Sequence, residues 1–387
     1  MRILHTSDWH IGRTLHGVSL HDAHEAWFDH LVEVVRSESV DAVVVSGDVY
    51  DRAVPPLDSV ELLSDTLGRL CARTRVIMTP GNHDSATRLG FGSSLYADAL
   101  VVRSCVAGVA TPVALGDDAA LVYALPYLDP EMTRGDLADG DDPLPRSHEA
   151  VISAAMTRVN ADLARRRRAA GRRIPAVVMA HAFVTGAAES ESERDIRVGG
   201  VGAVPAGVFG SGVDYLALGH LHGPQQVRAR CLARYAGSPV AFSFSERDHR
   251  KSAVLVDLAA GHAPAVEVVP APVLRSLSQV RGTLAEVLSG GFDHLAGTWC
   301  KFEITDPHRP ERMRERLLER FPHALVTLHT PEADQRPLGS RRVTPASDPM
   351  EVLGSFVQDV TGSDPSDAET VVLRGAYEAA EALGRSA

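Results

Sequence analysis

Hydrophobic residues fall along this chain in short runs that end in polar breaks. The runs "RILHTS", "DAVVVSGD", "RVIMTPGNHD", "ALVYALPYL", "PAVVMAHA" and "VDYLALGH" place Val, Ile and Leu at consecutive positions, the pattern of strands buried on both faces. Between them, residues 20–37, 57–70 and 148–168 space Leu, Val, Ala and Met at helical intervals. Strand, polar turn and helix in alternation predict an α/β architecture. From "ARYAGSP" through "KSAVLVDL" to "AVEVVPAP" the runs follow one another with little helix between, which predicts a second, more antiparallel sheet packed on the first.

After the Pro-rich "VVPAPV" (268–273) the pattern predicts a small α/β unit. It has a helix near 276–288, a strand at "TWCKFEIT", a helix near 310–320 and a strand at "ALVTLHT". A polar linker then leads to two amphipathic helices, 348–361 and 366–384, the second opened by a capping box from Ser366 to Glu369. The division expected is a main domain over 1–268, a capping domain over 269–332, a linker over 333–347 and a helical segment over 348–387. The apolar stripe of that last segment calls for a surface to dock on, in its own domain or in a partner.

At 387 residues the chain has room for a large domain and a smaller one. Its 44% hydrophobic and 23% charged residues are globular values. No apolar run approaches the ~18 residues of a membrane span, and Asp8 and His10 interrupt the start before a signal peptide could form, so the expected location is the cytoplasm. Cys71, Cys105, Cys231 and Cys300 form no CxxC pair and read as reduced structural residues. A net charge of -11 argues against a broad basic surface for nucleic acid; DNA binding would have to come from a local patch, a metal site or a partner. The basic clusters Arg165–Arg168 with Arg172 and Arg173, and Arg336 with Arg341 and Arg342, read as solvated helix ends or loops. His16, His21, His24 and His30 read as surface residues, and Arg312, Arg316 and Arg320 beside Glu311, Glu315 and Glu319 as a salt-bridged solvent face. Arg197 with Gly199 and Gly200 is expected in a long loop that could meet a substrate backbone.

The polar breaks carry the chemistry. Five of them hold ligand-type side chains: Asp8 and His10, then Asp48, then Asn82 with His83 and Asp84, then His181, then His220 with His222. In open α/β sheets, ligands bind outside the carboxyl ends of strands, so these groups are expected to converge across 214 positions of sequence. Asp, His and Asn without thiolate suit Mn²⁺, and also Fe or Zn. A carboxylate in the middle of such a set bridges two cations, and two metals about 3.5–4 Å apart polarise a phosphate and activate water in an in-line displacement. From the residues alone, Asn82, His83 and Asp84 stay equivalent candidates.

The ordered series DxH, GD, GNHD, H and GHxH resembles the calcineurin-like metallophosphoesterases. The wording "HTSDWHIGRTLHG", "GDVYDRAVPP", "TPGNHDS", "SESERDIRVGG" and "YAGSPVAFSFSE" narrows the likeness to the SbcD family of bacterial exonuclease subunits, over residues 1 to about 256. The resemblance implies a four-layer αββα sandwich with a capping domain and a C-terminal helical pair. It implies one metal on Asp8, His10, Asp48 and His222, and another on Asp48, Asn82, His181 and His220, with Asp48 as the bridge. It gives His83 the role of proton donor or transition-state stabiliser, with Asp84 as its orienting partner. It further implies a Mn²⁺-dependent nuclease, exonucleolytic on duplex ends from 3′ to 5′ and endonucleolytic on hairpins and single strands. An SbcC-type ATPase would be the partner of the helical pair, and the nuclease would dimerise through about 57–70 and 88–99. Other branches of the superfamily, such as cyclic-nucleotide phosphodiesterases and phosphatases, share the motif series and are the rival reading.

Overall fold

The computed structural model describes residues 1–194, 202–210, 212–331, 348–361 and 363–384. The expected loop of Arg197, Gly199 and Gly200, the cluster of Arg336, Arg341 and Arg342, and the expected linker lie outside the described residues. Residues 1–304 and 310–329 form one compact unit.

Two six-stranded sheets build its main part. The first runs Ala265–Pro270, Ser252–Asp257, Arg2–Thr6, Ala42–Ser46, Arg75–Thr79, Leu100–Val102; its last four strands are parallel and its first two antiparallel. The second runs Gln225–Val227, Leu232–Tyr235, Tyr215–Gly219, Ala176–His181, Ala120–Ala124, Val113–Leu115, parallel except at its two edges. The period of two sorts each strand between two cores. Val43 and Val45 join Leu4, Trp27, Phe28, Leu31 and Leu63 beneath the helices His21–Ser37 and Leu57–Cys71. Ala42 and Val44 face the other way, onto Val122, Val177, Met179 and Ala217 of the second sheet. Val178 and Ala180 then look outward to Val151, Met156 and Val159 of the helix His148–Ala170. The layers are therefore helix, sheet, sheet, helix. Each buried Val or Leu contributes roughly 1.5–3 kcal/mol, and a slip of one residue would exchange the two faces, so register is strongly fixed.

The late strands do not make the separate, more antiparallel sheet that the pattern predicts. Leu232–Tyr235 extends the second sheet, whereas Ser252–Asp257 returns to pair antiparallel with Arg2–Thr6 in the first. Periodicity reports a strand but not its neighbour. A second difference concerns Leu277–Gly282, expected to be helical: it is a strand, parallel to Trp299–Ile304, which pairs in turn with Ala324–His329. The helical signal belongs to Leu284–Val287 alone, started by a capping box between Thr283 and Glu286. Leu277, Trp299 and Leu325 of this small sheet pack on Leu15, Leu20, Val240 and Phe242.

The second unit comprises Thr305–Arg309 and 330–387. Its described helices Pro349–Thr361 and Asp367–Gly384 follow each other, and Ser366 and Glu369 form the expected capping box, Ser366 Oγ donating to Glu369 Oε2 at 2.7 Å.

Candidate metal centre

Every candidate ligand stands at the carboxyl end of a strand of one sheet or the other, and backbone hydrogen bonds bind the segments together. Asp8 N donates to Gly47 O at 3.1 Å, His10 N to Asp48 O at 2.9 Å and Ile11 N to Val49 O at 3.0 Å, so the segments after Arg2–Thr6 and Ala42–Ser46 run as one unit. Asp8, His10, Asp48 and His220 all take positive φ, 53°, 45°, 49° and 106°. Such backbone costs on the order of 1–3 kcal/mol per residue and persists only where the surroundings enforce it. The close approach also needs glycine: a methyl on Gly81 would collide with Asp48 Oδ1, and one on Gly219 with the Ser46 carbonyl.

Asp8, His10, Asp48, His181, His220 and His222 are buried together. Asp8, His10 and His222 offer ligand atoms within 4.8 Å of one another, as do Asp8, Asp48 and His181, and His10, Asp48 and His83. His10 Nε2 lies 3.0 Å from His222 Nε2 and 3.5 Å from Asp48 Oδ2. His181 Nε2 lies 3.3 Å from Asp48 Oδ2 and 2.9 Å from Asn82 Oδ1, which in turn is 3.3 Å from His220 Nδ1. Two imidazole nitrogens about 3 Å apart match neighbouring ligands each at about 2.1 Å from a shared ion. Asn82 Nδ2 and His10 Nδ1 are buried without hydrogen-bond partners among the described residues.

The field favours a cation. Burial pushes Asp8 up to about 6, against the pull of His181 and His222. Burial opposes ionisation of Asp48 as well, yet His181 and His10 hold it well below the usual carboxylate range. His181 shows the converse: burial disfavours its charge, but Asp48 and Asp8 keep it protonated up to about 9. A proton on His181 thus occupies the attraction that a divalent cation between these groups would satisfy more fully. Burial, with His181 beside it, pushes His220 down to about 3, and burial pushes His10 well below its usual value, leaving neutral rings with lone pairs to give. Oxygen and imidazole donors around two close carboxylates fit divalent metal ions.

The calcineurin-like phosphoesterase family matches residues 1–224 of this chain, more than half of it. A Bacillus subtilis relative, named as the SbcD component of the SbcCD nuclease, is 36% identical over 271 residues, 67% of each chain. Proteins of the same name from Rhodobacter capsulatus and Escherichia coli are 35% identical over 320 residues, 76% of each chain, and 30% over 356 residues, 88% of each chain. The chain belongs to the SbcD family of calcineurin-like phosphoesterases.

Within this SbcD-family site, the expected pairing of His83 with Asp84 is not what the structure contains. Asp84 accepts three backbone N–H groups, from Val49 at 3.0 Å, Tyr50 at 2.9 Å and Gly81 at 2.9 Å, and so ties the Pro80–Ser85 segment to the one after Ala42–Ser46. Burial and the nearby Asp48 push it up to about 7, against those three donors. With both oxygens engaged, the carboxylate is committed to backbone. His83 instead donates Nδ1–H to the Asp51 carbonyl at 2.8 Å, while its backbone N–H donates to Asp48 Oδ1 at 2.9 Å. The ring stands edge to face with His10, centroids 4.7 Å apart, and Nε2 is the ring nitrogen that the Asp51 carbonyl does not engage.

Of the four N-terminal histidines read as surface residues, His24 is buried, and its Nε2 donates to the Trp9 carbonyl at 2.7 Å. It thereby holds the peptide between Asp8 and His10. The Arg165–Arg168 cluster meets buried carboxylates: Arg166 Nε donates to Asp162 at 2.7 Å and Arg167 Nη2 to Asp214 at 3.2 Å. Arg320 pairs with Asp293 across the small sheet unit, its Nη2 at 2.7 Å. Residues that sequence reasoning missed are Asp51, through its carbonyl, and Ser192, Glu193, Glu246 and Lys251 behind His222. The one signal for Lys251 is composition, since it and Lys301 are the only lysines among 39 basic residues.

Proposed function

We propose that this chain is the nuclease subunit of an SbcCD-type complex, a hydrolase that cleaves DNA phosphodiesters at a centre of two divalent cations. The observation that carries the reading is the convergence of imidazole nitrogens, with His10 and His222 Nε2 3.0 Å apart, on two buried carboxylates in a member of this family. Asp8, His10, Asp48 and His222 would hold one cation and Asp48, Asn82, His181 and His220 the other. The donors suit Mn²⁺, with Mg²⁺, Fe or Zn as substitutes. Cations bound there supply Lewis-acid activation of the phosphodiester and of the attacking water.

The chain's own side chains do the rest. Asp48, facing both histidine sets through Oδ2 and His83 N through Oδ1, fixes the spacing of the two halves. His83 keeps Nδ1–H on the Asp51 carbonyl, so proton exchange runs through Nε2, which passes a proton to the leaving oxygen. Asp84 acts one step back, through the backbone that carries Asn82 and His83.

The substrates proposed are duplex ends, digested from 3′ to 5′, and hairpins and single strands, cut internally, in DNA repair, recombination and replication. The SbcC-type ATPase would dock on the two C-terminal helices, which expose Phe356, Val360, Val371 and Val372. With a net charge of -11, much of the phosphate contact falls to that partner. A homodimer, within a heterotetramer, is supported by Leu57 at 81% exposure, Phe91 at 81% and Leu95 at 86% on neighbouring elements. No described helix is long and apolar enough to cross a membrane, and the proposed location is the cytoplasm, at the nucleoid when on DNA. Purified protein with Mn²⁺ should cleave linear duplex DNA; activity on cyclic nucleotides alone would overturn the nuclease reading in favour of another phosphoesterase.

A further inference from the structure

Two stretches outside the proposed ligand set, Ser190–Arg194 and Phe242–Lys251, meet behind His222 and grip it at three points. Its backbone N–H donates to Glu193 Oε1 at 2.8 Å. Its carbonyl accepts from Lys251 Nζ at 3.0 Å. Its Nδ1 lies 2.5 Å from Ser192 Oγ, and that hydroxyl is donated onward to Glu246 Oε1, itself 3.4 Å from Nδ1. Lys251 closes an ion pair on Glu246 Oε2 and gives its third hydrogen to Ser238 Oγ at 2.8 Å. Ser192, Glu246 and Lys251 are all buried, so the whole relay is shut off from solvent.

The direction of these bonds decides the state of the ring. Because Ser192 spends its one hydrogen on Glu246, its oxygen can only accept from His222, which puts the ring proton on Nδ1 and the lone pair on Nε2. That lone pair faces His10 Nε2 at 3.0 Å. A metal-binding histidine commonly leans on a carboxylate in this way, which fixes its tautomer and raises its basicity. Stability alone does not account for the arrangement, since a buried ion pair is often replaceable by apolar side chains without loss.

We propose that Ser192, Glu246 and Lys251 are positioning residues that lock His222 in its Nδ1–H tautomer and set the affinity of the cation shared by Asp8, His10 and His222, separately from that of the other cation. The inference rests on the two-cation reading above. The test is Mn²⁺ titration of the full chain, with free Mn²⁺ read by electron paramagnetic resonance and folding by thermal melting in chelator. Ser192→Ala leaves the ion pair intact and is the variant expected to fold without difficulty; Glu246→Gln with Lys251→Met removes both charges together. Wild type is expected to bind two ions. Each folded variant should keep one ion at wild-type affinity and bind the other about 10- to 100-fold more weakly. The Mn²⁺ concentration for half-maximal duplex cleavage should rise by the same factor. Ser192→Ala binding both ions as wild type does, or losing both equally, overturns the inference and leaves the two-cation reading standing. A wild-type chain that binds no Mn²⁺ overturns both.

Discussion

Asp48 and His83 are neighbours with separable work. Asp48 faces His10 and His181, so Asp48→Ala should abolish both high-affinity Mn²⁺ binding and cleavage. His83→Ala should keep the metal and lose about 10²- to 10⁴-fold in rate, as for a displaced proton donor; metal counting alongside a cleavage assay separates the two, and equal metal loss would make His83 a ligand. His24 gives a different signature. Burial pushes it down to about 4, so it stays neutral in the folded chain while the unfolded chain takes up a proton below about 6.5. The unfolded state then binds more protons, and stability falls as pH drops from 6.5 toward 4. The cost is on the order of 2 kcal/mol by pH 5. Urea unfolding in chelator at pH 7 and pH 5 should show His24→Gln losing less than wild type by about that amount; an identical loss would contradict the assignment. The candidate ligands stood out because hard donors recur directly after apolar runs. His24 was not, because its burial depends on a carbonyl 15 residues away, and Asp84 was misjudged because adjacency in sequence says nothing of where its carboxylate points.

At the scale of elements, three of the loops around the site are bound to one another. The His10–Asp48 backbone bond joins the first two, Asp84 ties the third to the second, and Gly81 lets that third loop approach Asp48. Gly81→Ala, whose own φ poses no strain, should displace Asp48 and weaken Mn²⁺ binding by at least about tenfold, a loss comparable to removing an outer partner of a ligand. Calorimetric titration measures it, and wild-type affinity would show that the loops have room to part. The strands that carry the candidate ligands were legible as apolar runs, and the helices as their spacing. Leu277–Gly282 was not: a strand at the edge of a small sheet, with Val280 its one buried residue, leaves no clean period of two.

The whole molecule brings candidate ligands together from two sheets, and this the sequence conveyed only through the ordered motif series. Which strands share a sheet depends on long-range pairing, so Ser252–Asp257, which pairs with the first strand of the chain, could not be placed from its own pattern. Assembly is testable at the same scale. Leu95→Glu should shift the proposed dimer to monomer in sedimentation, and Phe356→Glu should lose the proposed ATPase partner in co-purification while metal binding is retained; a Leu95→Glu dimer would move the interface elsewhere. The account as a whole turns on cleavage of an end-labelled linear DNA duplex, titrated with Mn²⁺, by wild type and by Asp48→Ala side by side. It predicts that wild-type cleavage rises with Mn²⁺ and that the variant stays at background at every concentration. A variant that cuts DNA with the wild-type dependence on Mn²⁺ would contradict it.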